Sequence, residues 1–152
     1  MRFRDGSYEH PNYREVKRRI REAFKYMRKH NKLICRQNFS CCGGCASYEL
    51  GERIEKENKA KPGRWNGVVF FHRQSEAGLR ESGEVYLYYS HAKEVNDPKG
   101  VIIDENRPKD TVEIGRIVRE VCEYFGLEVE WDGSDMTAIL VRLPKEAEEE
   151  AA

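Results

Sequence analysis

Apolar residues recur at steps of three and four from Pro11 onward, at Tyr13, Val16, Ile20, Ala23, Phe24 and Met27. That spacing lays them along one stripe of a helix and predicts a first helix from Pro11 to about His30. Asn31 to Phe39 reads as a connector with a short extended piece around Leu33, Ile34 and Cys35. Tyr48, Leu50, Gly51 and Ile54 predict a second, shorter helix ending near Asn58, with Gly51 a weak point in it. The Pro-Gly pair in K-A-K-P-G-R then marks a loop. Trp65–Arg73 and Glu84–Ser90 are β-branched and aromatic runs of strand length, read as an antiparallel pair joined by a loop containing Gly and Ser. In the second run, Val85, Leu87 and Tyr89 fall on one face and Tyr86 and Tyr88 on the other. The polar stretch from His91 to Asp110 is broken by Val101, Ile102 and Ile103, a short extra strand. Asp110 as N-cap, Glu113 three residues on, a stripe from Ile114 to Phe125 and a terminating Gly126 define a third helix. Cys122 lies on its buried stripe. Leu127, Val129 and Trp131 alternate with glutamates, D-G-S-D turns the chain, and Met136–Leu143 completes a hairpin.

These elements predict an α+β fold: a mostly antiparallel sheet of four or more strands with about three helices packed on one face. The length suits one such domain, placed at 11–144. Residues 1–10 are an N-terminal arm without periodicity, and residues 145–152 an acidic tail expected to be disordered.

Charged residues make up 36% of the chain and hydrophobic ones 39%, so a heavily charged surface surrounds a modest core. No long apolar run and no secretory apolar segment occur, which points to a cytoplasmic protein without membrane contact. The net charge of zero is unevenly spread: residues 1–36 carry 12 Lys and Arg against 4 Asp and Glu, and residues 110–152 carry 4 against 12. The basic end includes Arg14, Lys17, Arg18, Arg21, Lys25 and Arg28 on the polar side of the first helix. Such a band fits phosphates or another acidic ligand, or a protein partner; it is equally the solvated face of an ordinary amphipathic helix, interrupted here by Glu15 and Glu22. Tyr86, Tyr88, Phe70 and Phe71 offer rings for base stacking. No basic, glycine-containing RNA-binding pattern accompanies them, so packing is the better reading.

Three of the five cysteines fall in N-F-S-C-C-G-G-C, Asn38 to Cys45. An odd cysteine count in a chain read as cytoplasmic argues against a disulfide framework. Cys42-Gly-Gly-Cys45 has the spacing with which two thiolates hold one metal ion, and zinc in a structural site needs two more ligands. Cys35, Cys41, His72 and His91 are the candidates, with His72 preferred. Adjacent Cys41 and Cys42 point to opposite sides of an extended backbone, so the principal pair uses at most one of them. The leading expectation is therefore a zinc-holding structural site of Cys41, Cys42, Cys45 and His72 in a binding or regulatory module, with the enzyme question left open. The same pair also fits a thiol or redox enzyme. Against that reading stand the strands, which look like hairpins and not a βαβ unit, and the lack of a proline opposite the motif.

N-F-S-C-C-G-G-C, then V-V-F-F-H-R-Q, then V-Y-L-Y-Y and G-L-E-V-E-W-D-G-S, resemble a family of uncharacterised small bacterial proteins. Its members share an N-F-x-C-C-x-x-C segment, a strand ending in His-x-Gln and a closing G-L-x-V-x-W-x-G hairpin. The likeness spans roughly residues 35–143 and picks out Asn38, Phe39, Cys41, Cys42, Cys45, His72, Gln74, Trp131 and Gly133. It implies that the cysteine turn and His72 share one site, and implies no particular activity. Where the family has an acidic residue after the Gln, this chain has Ser75.

Overall fold

The computed structural model describes residues 2, 7–40, 43–92 and 107–145. The strand expected at Val101–Ile103, cysteines Cys41 and Cys42, and the tail beyond Lys145 lie outside them. Helix α1, Tyr13–His30, buries the residues its spacing predicts, Tyr13 through Met27. After it come β1 (Leu33–Arg36), helix α2 (Gly43–Ala60) and β2 (Gly67–Phe70). Helix α3 (Arg73–Ser82) leads to β3 (Val85–His91), and helix α4 (Thr111–Tyr124) to the hairpin of β4 (Glu128–Glu130) and β5 (Ile139–Arg142). The strands form one sheet in the order β1-β2-β3-β5-β4.

Three features depart from the sequence reading, and each has a physical cause. First, the sheet is mixed. β1 pairs parallel with β2 while the other pairs are antiparallel. Parallel neighbours need a crossover, and α2 is that crossover, so β1-α2-β2 is a βαβ unit. Second, the link between β2 and β3 is not a loop but α3. It buries only Glu76 and Leu79, too little apolar character to leave a periodic trace. Third, helices cover both faces. Cys35, Val69 and Phe71 pack into the main core with residues of α1 and α4, whereas Ile34, Val68 and Phe70 pack against Ala46 and Leu50 of α2. All four residues of β2 are buried, as a strand covered on both sides requires.

The second helix is also longer than its pattern suggests, and Tyr48 is exposed on it. Its apolar contacts are to β1 and β2 and their flanks. Farther across that face the sheet is open to solvent, with Tyr86 51% exposed and Tyr88 half-buried. The third helix matches expectation closely: Asp110 caps it by accepting from the Glu113 N–H at 2.9 Å, and Cys122 is fully buried. Residues of the expected arm are tied to the body, since the His10 N–H donates to the Arg80 carbonyl at 2.7 Å. No helix among the described residues is long and apolar enough to cross a membrane.

Candidate functional site

The parallel pairing of β1 and β2 brings Asn38–Ser40 and His72 to one end of the sheet. Beyond the last strand residues the two chains stay in register: the Phe71 N–H donates to the Arg36 carbonyl at 3.2 Å and the Phe39 N–H to the Phe71 carbonyl at 3.0 Å. The Arg73 N–H then donates to the Ser40 carbonyl at 3.2 Å. The residue before Cys41 is thereby bonded to the residue after His72, and the first turns of α2 and α3 follow directly. Holding the chain there uses unfavourable backbone, because Asn38 and Ser40 adopt φ of 49° and 66°. For a residue such as Ser40 that costs about 1–2 kcal/mol, whereas asparagine adopts the left-handed region more readily. Such strain is concentrated where surrounding structure imposes it, often at functional turns. Phe39 is half-buried beneath the Arg36 guanidinium, 4.8 Å from its ring centre.

His72 is 6% exposed and is the N-cap of α3, its Nδ1 accepting the Ser75 N–H at 3.3 Å. Its ring stacks on Tyr88, centre to centre 5.2 Å, and Tyr88 stacks in turn on Phe70 at 5.6 Å. Burial holds its pKa below the usual histidine value of 6.5. A neutral ring accepting at Nδ1 carries its hydrogen on Nε2, so the capping bond occupies the lone pair that a metal would need. Gln74, its partner in the His-x-Gln motif, is exposed.

The remaining ligand candidates are dispersed. Cys35 points into the main core on the α1 side of the sheet, where burial pushes its thiol up to about 12. His91 pairs with Gly67 at the opposite end of β2, and its Nε2–H donates to the Pro108 carbonyl at 2.8 Å. Cys45 is exposed in the first turn of α2. Among the described residues no group of three or more His, Cys, Asp or Glu is placed to share an ion.

The basic band of α1 is partly neutralised by neighbouring carboxylates. Arg14 pairs with Glu9 at 2.7 Å, Lys17 with Glu76 at 2.5 Å and Arg18 with Glu15 at 2.5 Å. Arg21, Lys25 and Arg28 remain on the exposed side. Glu76 escapes a reading based on apolar spacing. It is 7% exposed, accepts from the Tyr13 hydroxyl at 2.6 Å as well as from Lys17, and keeps its second carboxylate oxygen buried without a hydrogen bond. The helix-forming run E-A-G-L-R-E before Gly83 is the signal that places it on a helix.

The hairpin that closes the resemblance is also organised by side chains. Trp131 Nε1–H donates to the Tyr89 hydroxyl at 2.8 Å, whose single hydrogen is shared between the loop carbonyls of Ser134 and Thr137, each 2.7 Å away. Gly133 turns that loop with φ of 83°.

The chain belongs to the family described as Domain of unknown function (DUF6891), which matches residues 9–144. Among curated proteins and solved structures nothing matches it.

Proposed function

We propose that the chain is a thiol–disulfide protein working through Cys42 and Cys45. The observation that carries this reading is where α2 starts. Its first residue is Gly43, so Cys42-Gly-Gly-Cys45 spans the start of a crossover helix at the carboxyl ends of two parallel strands. The βαβ unit, whose apparent absence argued against thiol chemistry, is therefore present. Helix N-termini favour negative charge, and reactive thiolates are characteristically found there. In the reaction, one thiolate of the pair attacks a sulfur of a substrate disulfide and releases the first substrate thiol. The second cysteine attacks the resulting mixed disulfide, releasing the other substrate thiol and closing Cys42 to Cys45. Two electrons pass from the protein to the substrate.

Equilibration in glutathione buffers of stepped ratio, followed by acid quenching and mass analysis, tests this. A disulfide that forms and reverses with the buffer, and that disappears in Cys42→Ser and Cys45→Ser, is expected. A protein whose pair stays reduced across the whole range sinks the reading.

The second reading is a structural zinc site of Cys41, Cys42, Cys45 and His72, making the chain a binding or regulatory module. The bond between Ser40 and Arg73 favours it by drawing the cysteine segment toward His72. The capping role of the His72 Nδ1 fits it poorly. Bound zinc would lock the turn and add its binding energy to folding. Metal analysis of protein purified without chelator, repeated on His72→Ala, separates the two. Stoichiometric zinc that falls in the variant supports the metal site. Unchanged metal with slower alkylation of a turn cysteine supports the thiol pair.

A further inference from the structure

Between α2 and the part of the sheet that it leaves open runs a cleft of about 550 Å³. That lies within the range of small-molecule sites, about 300–1,000 Å³. Its floor is apolar, built from Leu50, Ile54, Val68, Phe70 and Tyr88. Its walls carry two carboxylates, Glu55 on α2 and Asp135 on the loop between β4 and β5. No Lys or Arg lines it among the described residues, although the chain has 27 of them. His91 is the other titratable group on the wall besides the tyrosines, and its Nε2–H is engaged by the Pro108 carbonyl. The charge of the described lining is thus opposite to that of α1. Among the described residues Glu55 pairs with Lys59 at 3.8 Å, in an exposed pair that a bound cation readily replaces.

We propose that this cleft binds a small organic ammonium compound with a flat apolar body. The body lies against the partly exposed Tyr88 and Ile54 side chains, above the buried Phe70 and Leu50, and the cationic nitrogen is drawn to Glu55 and Asp135. Phe70 and His72 already stack on the Tyr88 ring, so a ligand meets its remaining edge, and the ring needs no ordering when the ligand arrives. Size sets the class. From Ser47 to Glu55 the helix wall is about 12 Å long, enough for two or three fused rings and too short for an extended peptide. Gly51 leaves the wall open at its middle, since a Cβ built there meets nothing within 4 Å. The site does not depend on the cysteine chemistry.

Calorimetric titration of the full chain with tryptamine, with its uncharged analogue tryptophol and with indole-3-propionate tests the proposal. At low salt the amine should bind about tenfold more tightly than the alcohol, since two exposed ion pairs contribute a few-fold each, and the acid should bind weakest. The preference should shrink with added salt. In the double variant Glu55→Gln, Asp135→Asn, both on the surface, amine and alcohol should bind alike. Gly51→Leu starts from a Cβ that meets nothing within 4 Å and carries its side chain into the open wall, so it should remove binding of both while the melting temperature does not fall. No heat from tryptamine at millimolar concentration, equal affinity for amine and alcohol in the unmodified protein, or binding that survives Gly51→Leu would each overturn it.

Discussion

His72 is kept neutral by its surroundings, and this makes stability depend on pH. Burial lowers its pKa below the 6.5 of an unfolded chain. Between those two values the unfolded state binds the proton and the native state does not, so stability contributed by the neutral ring is complete above about pH 6.5 and is lost as pH falls toward the native pKa. The melting temperature should drop on acidification through that window. His72→Asn keeps an N-cap acceptor, so whatever packing it loses against Tyr88, the slope in this window should flatten. An unchanged slope would assign the effect to other groups. The buried cysteines give a second expectation at this scale. Burial pushes the thiols of Cys35 and Cys122 up to about 12. At about pH 8 iodoacetamide should leave both intact in the native protein and modify them in guanidinium; native labelling at the rate of an exposed thiol would contradict their placement. Much at this scale was legible beforehand. The stripe from Tyr13 to Met27 and the burial of Cys122 follow from spacing alone. The buried Glu76 does not, because periodicity registers apolar side chains and a carboxylate enters a core only when a tyrosine and a lysine from another helix meet it.

Elements were readable where they carry an apolar stripe or a recognised cap and unreadable where they carry neither. Helix α4 has both, a capping Asp110 and a buried face from Ile114 to Cys122. Helix α3 is capped by a histidine, which is outside the usual N-cap set, and reaches the core through one leucine and one glutamate. Its clear mark is Gly83, which ends it with φ of 76°. The parallel pairing was hidden because β1 has only four residues, three of them buried, and a short fully buried run looks like a connector. Two glycines inside helices show how position decides the sign of one substitution. Gly51 is exposed in α2 with open space at its Cβ, so Gly51→Ala should gain helix propensity and stabilise by about 0.5–1 kcal/mol. Gly115 is buried in α4, where a Cβ would stand 2.6 Å from the Trp131 ring and 3.0 Å from Tyr89. Those rings are locked by the hydrogen bond between them, so Gly115→Ala should destabilise by about 1–3 kcal/mol despite the same propensity gain. Paired thermal melts check both, and matching signs would refute the packing argument.

Across the whole molecule the two cores are unequal, and the smaller one packs α2, the helix that carries Cys45. The main core joins α1 and α4 to residues of all five strands. The other is built on Ile34, Ala46, Leu50, Val68 and Phe70, with α2 as its only helix among the described residues. An element with little buried apolar contact opens at lower free energy than the rest of its domain. The fastening of α2 is also lopsided. At its carboxyl end Asn58 is buried and bonded both ways to Trp65, accepting from its N–H at 2.9 Å and donating to its carbonyl at 3.1 Å. Its amino end follows the strained turn at Asn38 and Ser40. Hydrogen exchange should therefore be faster along α2 than in α1 and α4. Asn58→Ala leaves the Trp65 backbone groups without these partners, at about 1–3 kcal/mol for a buried group, and should speed exchange along α2 with little change in α1. Oxidation of Cys42 to Cys45 should act at the other end, slowing exchange in the first turns alone. Exchange of α2 only together with α1, through global unfolding, would show that the small core is as firmly held as the large one.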